Sequence, residues 1–168
     1  VICIKFSTNS ALKKMAIKCR FIPSNKACTK VSNNEITIEG ELEDNEMKFN
    51  GKMAAVIKDG FIRPKKDSIV IENTSEVVFY VSAKTDYMNV YPKYRTNETK
   101  EELNLKVQQT IDEAIKKGYE KLKEEHLNDY QTIFNRVEID IGQQPSFIPT
   151  NELLNQYKKY YKKESNRY

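Results

Sequence analysis

The chain has 168 residues, 39% hydrophobic and 31% charged, enough apolar material for one domain with a modest core under a solvated surface. Its 28 Lys and Arg stand against 24 Asp and Glu, a net charge of +4, with both signs mixed along most of the chain. That mixing argues against a dedicated nucleic-acid binder, which gathers its cations on one face or helix, and no apolar run approaches membrane-spanning length.

The opening "VICIKFSTNSALKKMAIK" begins without Met inside a strand-like run and lacks the order of a signal peptide, so a fragment of a longer polypeptide is expected. Residues 1 to about 87 alternate with period two, as half-buried strands do. Met15, Ile17, Cys19 and Phe21 face one way, and Lys14, Lys18 and Arg20 the other. Ile36, Ile38, Gly40 and Leu42 alternate with Thr37, Glu39 and Glu41; Met47, Phe49, Gly51, Met53, Ala55 and Ile57 lie opposite Lys48, Asn50, Lys52 and Lys58. "EDNE" at 43–46 and "KDG" at 58–60 sit where hairpin turns belong. "SIVIEN" and "EVVFYVSA" are more continuous, as strands covered on both faces would be. At least six strands with short turns predict an antiparallel β-sandwich, wetted on one side.

From residue 99 the period becomes helical. Thr99 and Glu102 form a capping box, Leu103, Val107, Ile111, Ala114 and Ile115 make one apolar face, and Gly118 ends the helix after two lysines. A second helix starts near Tyr119, with a stripe of Tyr119, Leu122, His126, Tyr130, Ile133 and Val137. A short strand, "VEIDIG", and a Pro-containing loop follow, and a third helix begins after Thr150 with Leu153, Leu154, Tyr157 and Tyr160 or Tyr161. Its end, "YKKYYKKESNRY", alternates cations with Tyr; a solvated helix end is preferred to a base-stacking or membrane-surface segment.

Cys3, Cys19 and Cys28 are an odd set without CxxC spacing, short of the four ligands of a zinc site. They read as free thiols, with a Cys19–Cys28 bridge the alternative. His126, the sole histidine, falls within an apolar stripe with Asp129 three residues on. It reads as a packing residue, because no Gly-x-Ser-x-Gly, HExxH or second histidine supplies a catalytic partner. Glu39 and Glu41 share a strand face and could pair as in a glycosidase, but they read as the solvent face of an alternating strand. "GELEDNE" lacks the register of a compact calcium loop. Asn73-Thr74-Ser75 and Asn97-Glu98-Thr99 match the glycosylation sequon, a short pattern common by chance. No Trp is present, yet "DYMNVYPKYR" at 86–95 puts Tyr87, Tyr91, Tyr94 and Arg95 in one loop, a candidate glycan contact.

"ITIEGELEDNEMKFNGKMAAVIKDG", "IVIENTSEVVFYVSAKTDY", "KKGYEKLKEEHLNDYQTIFNRVEIDIG" and "PTNELLNQY" together resemble the N-terminal region of glycoside hydrolase family 95 α-L-fucosidases, over about residues 36–157. The helical pattern is the specific part: Tyr119, Leu122, His126, Asp129, Tyr130, Phe134, Arg136 and Val137 fit it, as do Pro149, Thr150, Glu152 and Leu154. The chain departs from it at Glu46, where Gly is usual, at the 73–75 turn, and at Asn151, where Asp is common.

The resemblance implies a truncated super-sandwich over 1–95, a helical hairpin linker with a short strand over 96–142, and over 143–168 the start of the segment entering an (α/α)6 catalytic barrel. It implies a parent enzyme that hydrolyses terminal α-linked L-fucose on glycans with inversion. The catalytic carboxylates would lie in the barrel, so none falls on this chain, and neither cofactor nor metal is expected. His126, Asp129, Tyr130, Phe134, Arg136, Leu153, Leu154 and Tyr157 would pack against that barrel, and the isolated fragment is expected to self-associate through such residues. The alternative is an autonomous carbohydrate-binding or adhesion sandwich. An extracellular or cell-surface setting is expected ahead of a cytoplasmic one.

Overall fold

A computed structural model describes residues 1–9, 14–23, 27–139, 142 and 147–165, with side chains to Tyr160. Eight strands come first: β1 (Ile2–Ser7), β2 (Met15–Cys19), β3 (Cys28–Ser32), β4 (Glu35–Glu41), β5 (Lys48–Ile57), β6 (Phe61–Pro64), β7 (Ile69–Thr74) and β8 (Glu76–Thr85). Helices α1 (Lys100–Lys117), α2 (Tyr119–Phe134) and α3 (Thr150–Ser165) follow. The chain divides into two compact units, 1–129 and 130–168.

In the first unit, β1-β8-β5-β4-β3 form a five-stranded sheet and β2-β7-β6 a three-stranded one, antiparallel throughout. The core between them joins one face of the alternating strands to residues of the two continuous runs. Ile36, Met53, Ala55, Ile69, Ile71, Val77 and Phe79 are buried there, with Met15, Ile17, Cys19 and Phe21 packed around them. The sandwich and its following helical segment are thus as the sequence predicts. β3 and β6 were not delineated from sequence, since "CTKVS" and "FIRP" carry too few apolar residues to show a period.

The second face of the five-stranded sheet is not wetted, as expected, but covered. Val107, Ile111 and Ala114 of α1 bury Ala54, Val78 and Tyr80, so β5 and β8 are sandwiched on both sides, which explains their continuous apolar runs. Lys52, assigned to solvent by its polarity, is 6% exposed beneath α1. Its ammonium donates to Gln108 Oε1 and lies 3.5 Å from Glu35 Oε2, and these partners make the buried charge tolerable. The α1 start is as predicted: Thr99 Oγ1 accepts from Glu102 N at 3.1 Å, and Glu102 Oε2 from Thr99 N at 2.8 Å.

The "EDNE" stretch turns β4 into β5, with Leu42 N donating to Met47 O at 2.9 Å. "KDG" is not a hairpin turn, because β5 and β6 belong to different sheets and the segment crosses between them. Gly60 has φ +88°, and a Cβ there would lie 2.3 Å from Glu72 O, so only glycine fits. Asp59 ties this crossover to the one between β7 and β8: its carboxylate accepts from Lys14 Nζ at 2.6 Å and from Ser75 N and Oγ. These donors, Lys14 foremost, hold the Asp59 carboxyl far below the usual range.

In the second unit the end of α2 carries Tyr130 stacked on Phe134, ring centroids 5.1 Å apart. The predicted strand over 137–142 is not formed at 137–139, which run without regular structure; 140 and 141 lie outside the described residues, as do 143–146 and 166–168.

Candidate functional site

The loop after β8, residues 86–97, is anchored at its base. Asp86 is 3% exposed and its Oδ1 accepts from Lys48 N at 3.1 Å. Its backbone bonds Lys48 O at 3.2 Å and Thr96 N at 2.8 Å, fastening both ends of the loop to β5. Arg95 spans the gap to the 42–47 turn: Nη2 donates to Asn45 O at 2.8 Å and Nε lies 3.7 Å from Asp86 Oδ1. At the far end Thr96 Oγ1 donates to Glu98 Oε2 at 2.6 Å, and Lys106 pairs with the same carboxylate. Lys106 first and Thr96 second lower the Glu98 pKa.

Loop and turn enclose an open cleft of about 590 Å³ lined by Glu41, Asn45, Glu46, Lys48, Asp86, Lys93, Tyr94, Arg95 and Asn97. Of the four residues proposed from sequence, Tyr94 and Arg95 line it. Tyr91 packs edge-on against Tyr94 with centroids 6.3 Å apart, and Tyr87 pairs with Arg95 in an isolated bridge at the loop's neck. Glu41, Asn45, Glu46 and Lys48 escaped sequence reading because strand pairing, not local spacing, brings residues 41–48 beside 86–97.

His126 and Asp129 line a second groove, together with Tyr119 and Leu122 of α2 and Val1, Ile2 and Cys3 at the edge of the five-stranded sheet. His126 is exposed, only Tyr119 and Leu122 of its stripe are half-buried, and nothing in α2 is fully buried. The sequence signal was sound as periodicity but could not say where along the helix the covering sheet ends. Beyond that point the apolar residues are open: Tyr130, Ile133, Phe134, Leu153, Leu154 and Tyr157 are all exposed. Arg136, two residues past α2, turns back on that helix, Nε donating to Thr132 O at 2.9 Å.

Glu39 and Glu41 line one open cavity of about 410 Å³, but each is held by a lysine. Glu39 pairs with Lys30, and Glu41 with Lys100 at 3.0 Å. The thiols of Cys3, Cys19 and Cys28 are free, and burial pushes Cys3 and Cys19 above the ordinary thiol value. Among the described residues, no three His, Cys, Asp or Glu side chains gather to hold a metal ion, and no helix is long and apolar enough to cross a membrane.

Comparison with known families places two matches along the chain. Residues 1–90, more than half of it, match the glycosyl hydrolase family 65 N-terminal domain. Residues 118–167 match the glycosyl hydrolase family 95 catalytic domain, beginning where α2 begins. No curated protein matches the chain.

Proposed function

Because the chain belongs to the family of glycosyl hydrolase family 65 N-terminal domains and continues into a segment of the family 95 catalytic type, we propose that it is the non-catalytic scaffold of an α-L-fucosidase. The glycoside hydrolase parentage is the premise; the sugar and the scaffold role are the proposal. The observation that carries the role is the set of exposed apolar residues Tyr130, Ile133 and Phe134 at the end of α2 and Leu153, Leu154 and Tyr157 on α3. They lie within the segment matching the catalytic domain, and exposed apolar residues of this kind are what a helix shows when its covering partner is absent.

Their covering partner, in this reading, is the remainder of the catalytic domain. The sandwich and α1 supply a base with its own closed core, and α2 leads the chain into the segment that matches the catalytic domain. Inverting glycosidases need two carboxyl groups roughly 6.5–9.5 Å apart across the scissile bond, one acid and one base. The acidic pair singled out in this chain is neutralised by lysines instead, which supports placing the chemistry elsewhere in the parent enzyme.

The test is hydrolysis by the parent enzyme expressed from its natural reading frame. Release of L-fucose from an α-1,2-fucosylated oligosaccharide is expected, with the β-anomer appearing first by proton NMR. Release of galactose in place of fucose from matched substrates overturns the sugar assignment. Phe134→Asp in that enzyme is expected to lower thermal stability and kcat together; an unchanged enzyme overturns the packing role.

A further inference from the structure

The cleft between the 42–47 turn and the 86–97 loop has no part in the scaffold role, yet it is built with unusual care. We propose that it binds a neutral oligosaccharide, with Tyr91 and Tyr94 as the stacking surface and Glu46, Lys93 and Asn97 as hydroxyl contacts.

Charge narrows the ligand class first. Glu41, Glu46 and Asp86 face Lys48, Lys93 and Arg95, three carboxylates against three cations, so the cleft has no net charge to attract an anion or a metal ion. Two of the carboxylates are also committed: Asp86 to Lys48 N and Arg95, Glu41 to Lys100. A sugar hydroxyl both donates and accepts. It is therefore matched by a wall that alternates acceptor-only carboxylate, donor-only ammonium and the amide of Asn97, which does both. The side chains of Glu46, Lys93 and Asn97 have no hydrogen-bond partner among the described residues, so their polar ends remain available to such hydroxyls.

The aromatic pair supplies the other half of the recognition. Tyr91 is 81% exposed and Tyr94 41%, and their edge-to-face packing fixes the two rings relative to each other. The C–H face of a pyranose ring buries apolar surface against such a ring while its hydroxyls stay in the polar cleft.

Of the five non-glycine residues with positive φ among the described residues, three line the cleft. Glu46, Tyr94 and Asn97 hold φ of 56°, 53° and 60°, left-handed values that cost a non-glycine residue stability. The cost is sustained by the anchors at Asp86 and Arg95, which preorganise the loop and so reduce the ordering entropy of binding. At about 590 Å³ the cleft is within the size of small-ligand sites.

The experiment is NMR titration of the isotope-labelled 168-residue chain, separately with an α-fucosylated trisaccharide, maltoheptaose, inorganic phosphate and calcium chloride. At least one neutral glycan is expected to shift amides in 45–48 and 86–97, with phosphate and calcium leaving them in place. Tyr91→Ala is expected to weaken that binding about tenfold, and Tyr91→Phe to retain it. Tyr91 is solvent-facing enough for both variants to keep the spectrum of the rest of the fold. No shift with either glycan at millimolar concentration overturns the site, as do shifts confined to other residues. Cleft shifts caused by phosphate or calcium overturn the ligand class, and unaltered binding by Tyr91→Ala overturns the stacking role.

Discussion

Replacing Ile111 by Ala measures how firmly α1 seals the outer face of the five-stranded sheet. Ile111 is 0% exposed and packs with Val107 and Ala114 on Ala54, Val78 and Tyr80. Removing three buried carbons costs about 2.4 kcal/mol at roughly 0.8 kcal/mol each. A residual cavity of about 50 Å³ adds about 1.2 kcal/mol, since the helix cannot collapse fully onto a sheet held by its neighbours. Alanine's higher helix propensity returns about 0.4 kcal/mol, leaving a net loss of about 3 kcal/mol. For a chain of this length the melting temperature should fall by about 6–12 °C. The assay is thermal and urea unfolding of Ile111→Ala beside Leu105→Ala, whose side chain on the same helix is 61% exposed. The control should change by no more than about 0.5 kcal/mol. Equal small losses in the two variants would mean that α1 is not seated on the sheet, and the two-sided burial of β5 and β8 would be wrong.

Gly60→Ala should destabilise by at least about 2 kcal/mol, from left-handed backbone strain plus the clash of the new Cβ with Glu72 O; an equilibrium melt matching the parent chain refutes the need for glycine there. Asp59 has its folded pKa lowered, chiefly by Lys14, so its contribution is fully present above the unfolded value near 3.8 and is lost as pH falls through the lower folded value. Asp59→Asn should therefore flatten the acid limb of a stability–pH curve while losing stability at neutral pH; identical acid limbs would disprove the linkage. The exposed apolar residues of α2 and α3 predict concentration-dependent self-association of the chain by light scattering, reduced by Phe134→Ser with Tyr157→Ser. A monomer at every concentration tested counts against it.

The sequence alone settled what is local. The Thr99–Glu102 box and the 3.6-residue spacing of Leu103, Val107, Ile111 and Ala114 placed α1 and its buried face, because caps and helical stripes are made by residues three or four apart. Alternation likewise put Ile36, Met53 and Ala55 on one face, and all three are in the core. It could not choose partners: a period of two states which way a side chain points, not what waits on that side. Tertiary packing therefore decided that Lys52 lies under α1 instead of in water, that the 58–60 segment crosses between sheets, and that His126 lies past the edge of the sheet's cover. The cleft is tertiary in the same sense. Tyr94, Arg95 and part of its polar wall come from one loop, but Glu41, Asn45, Glu46 and Lys48 come from a stretch some forty residues away, brought there by the β4–β5–β8 ladder.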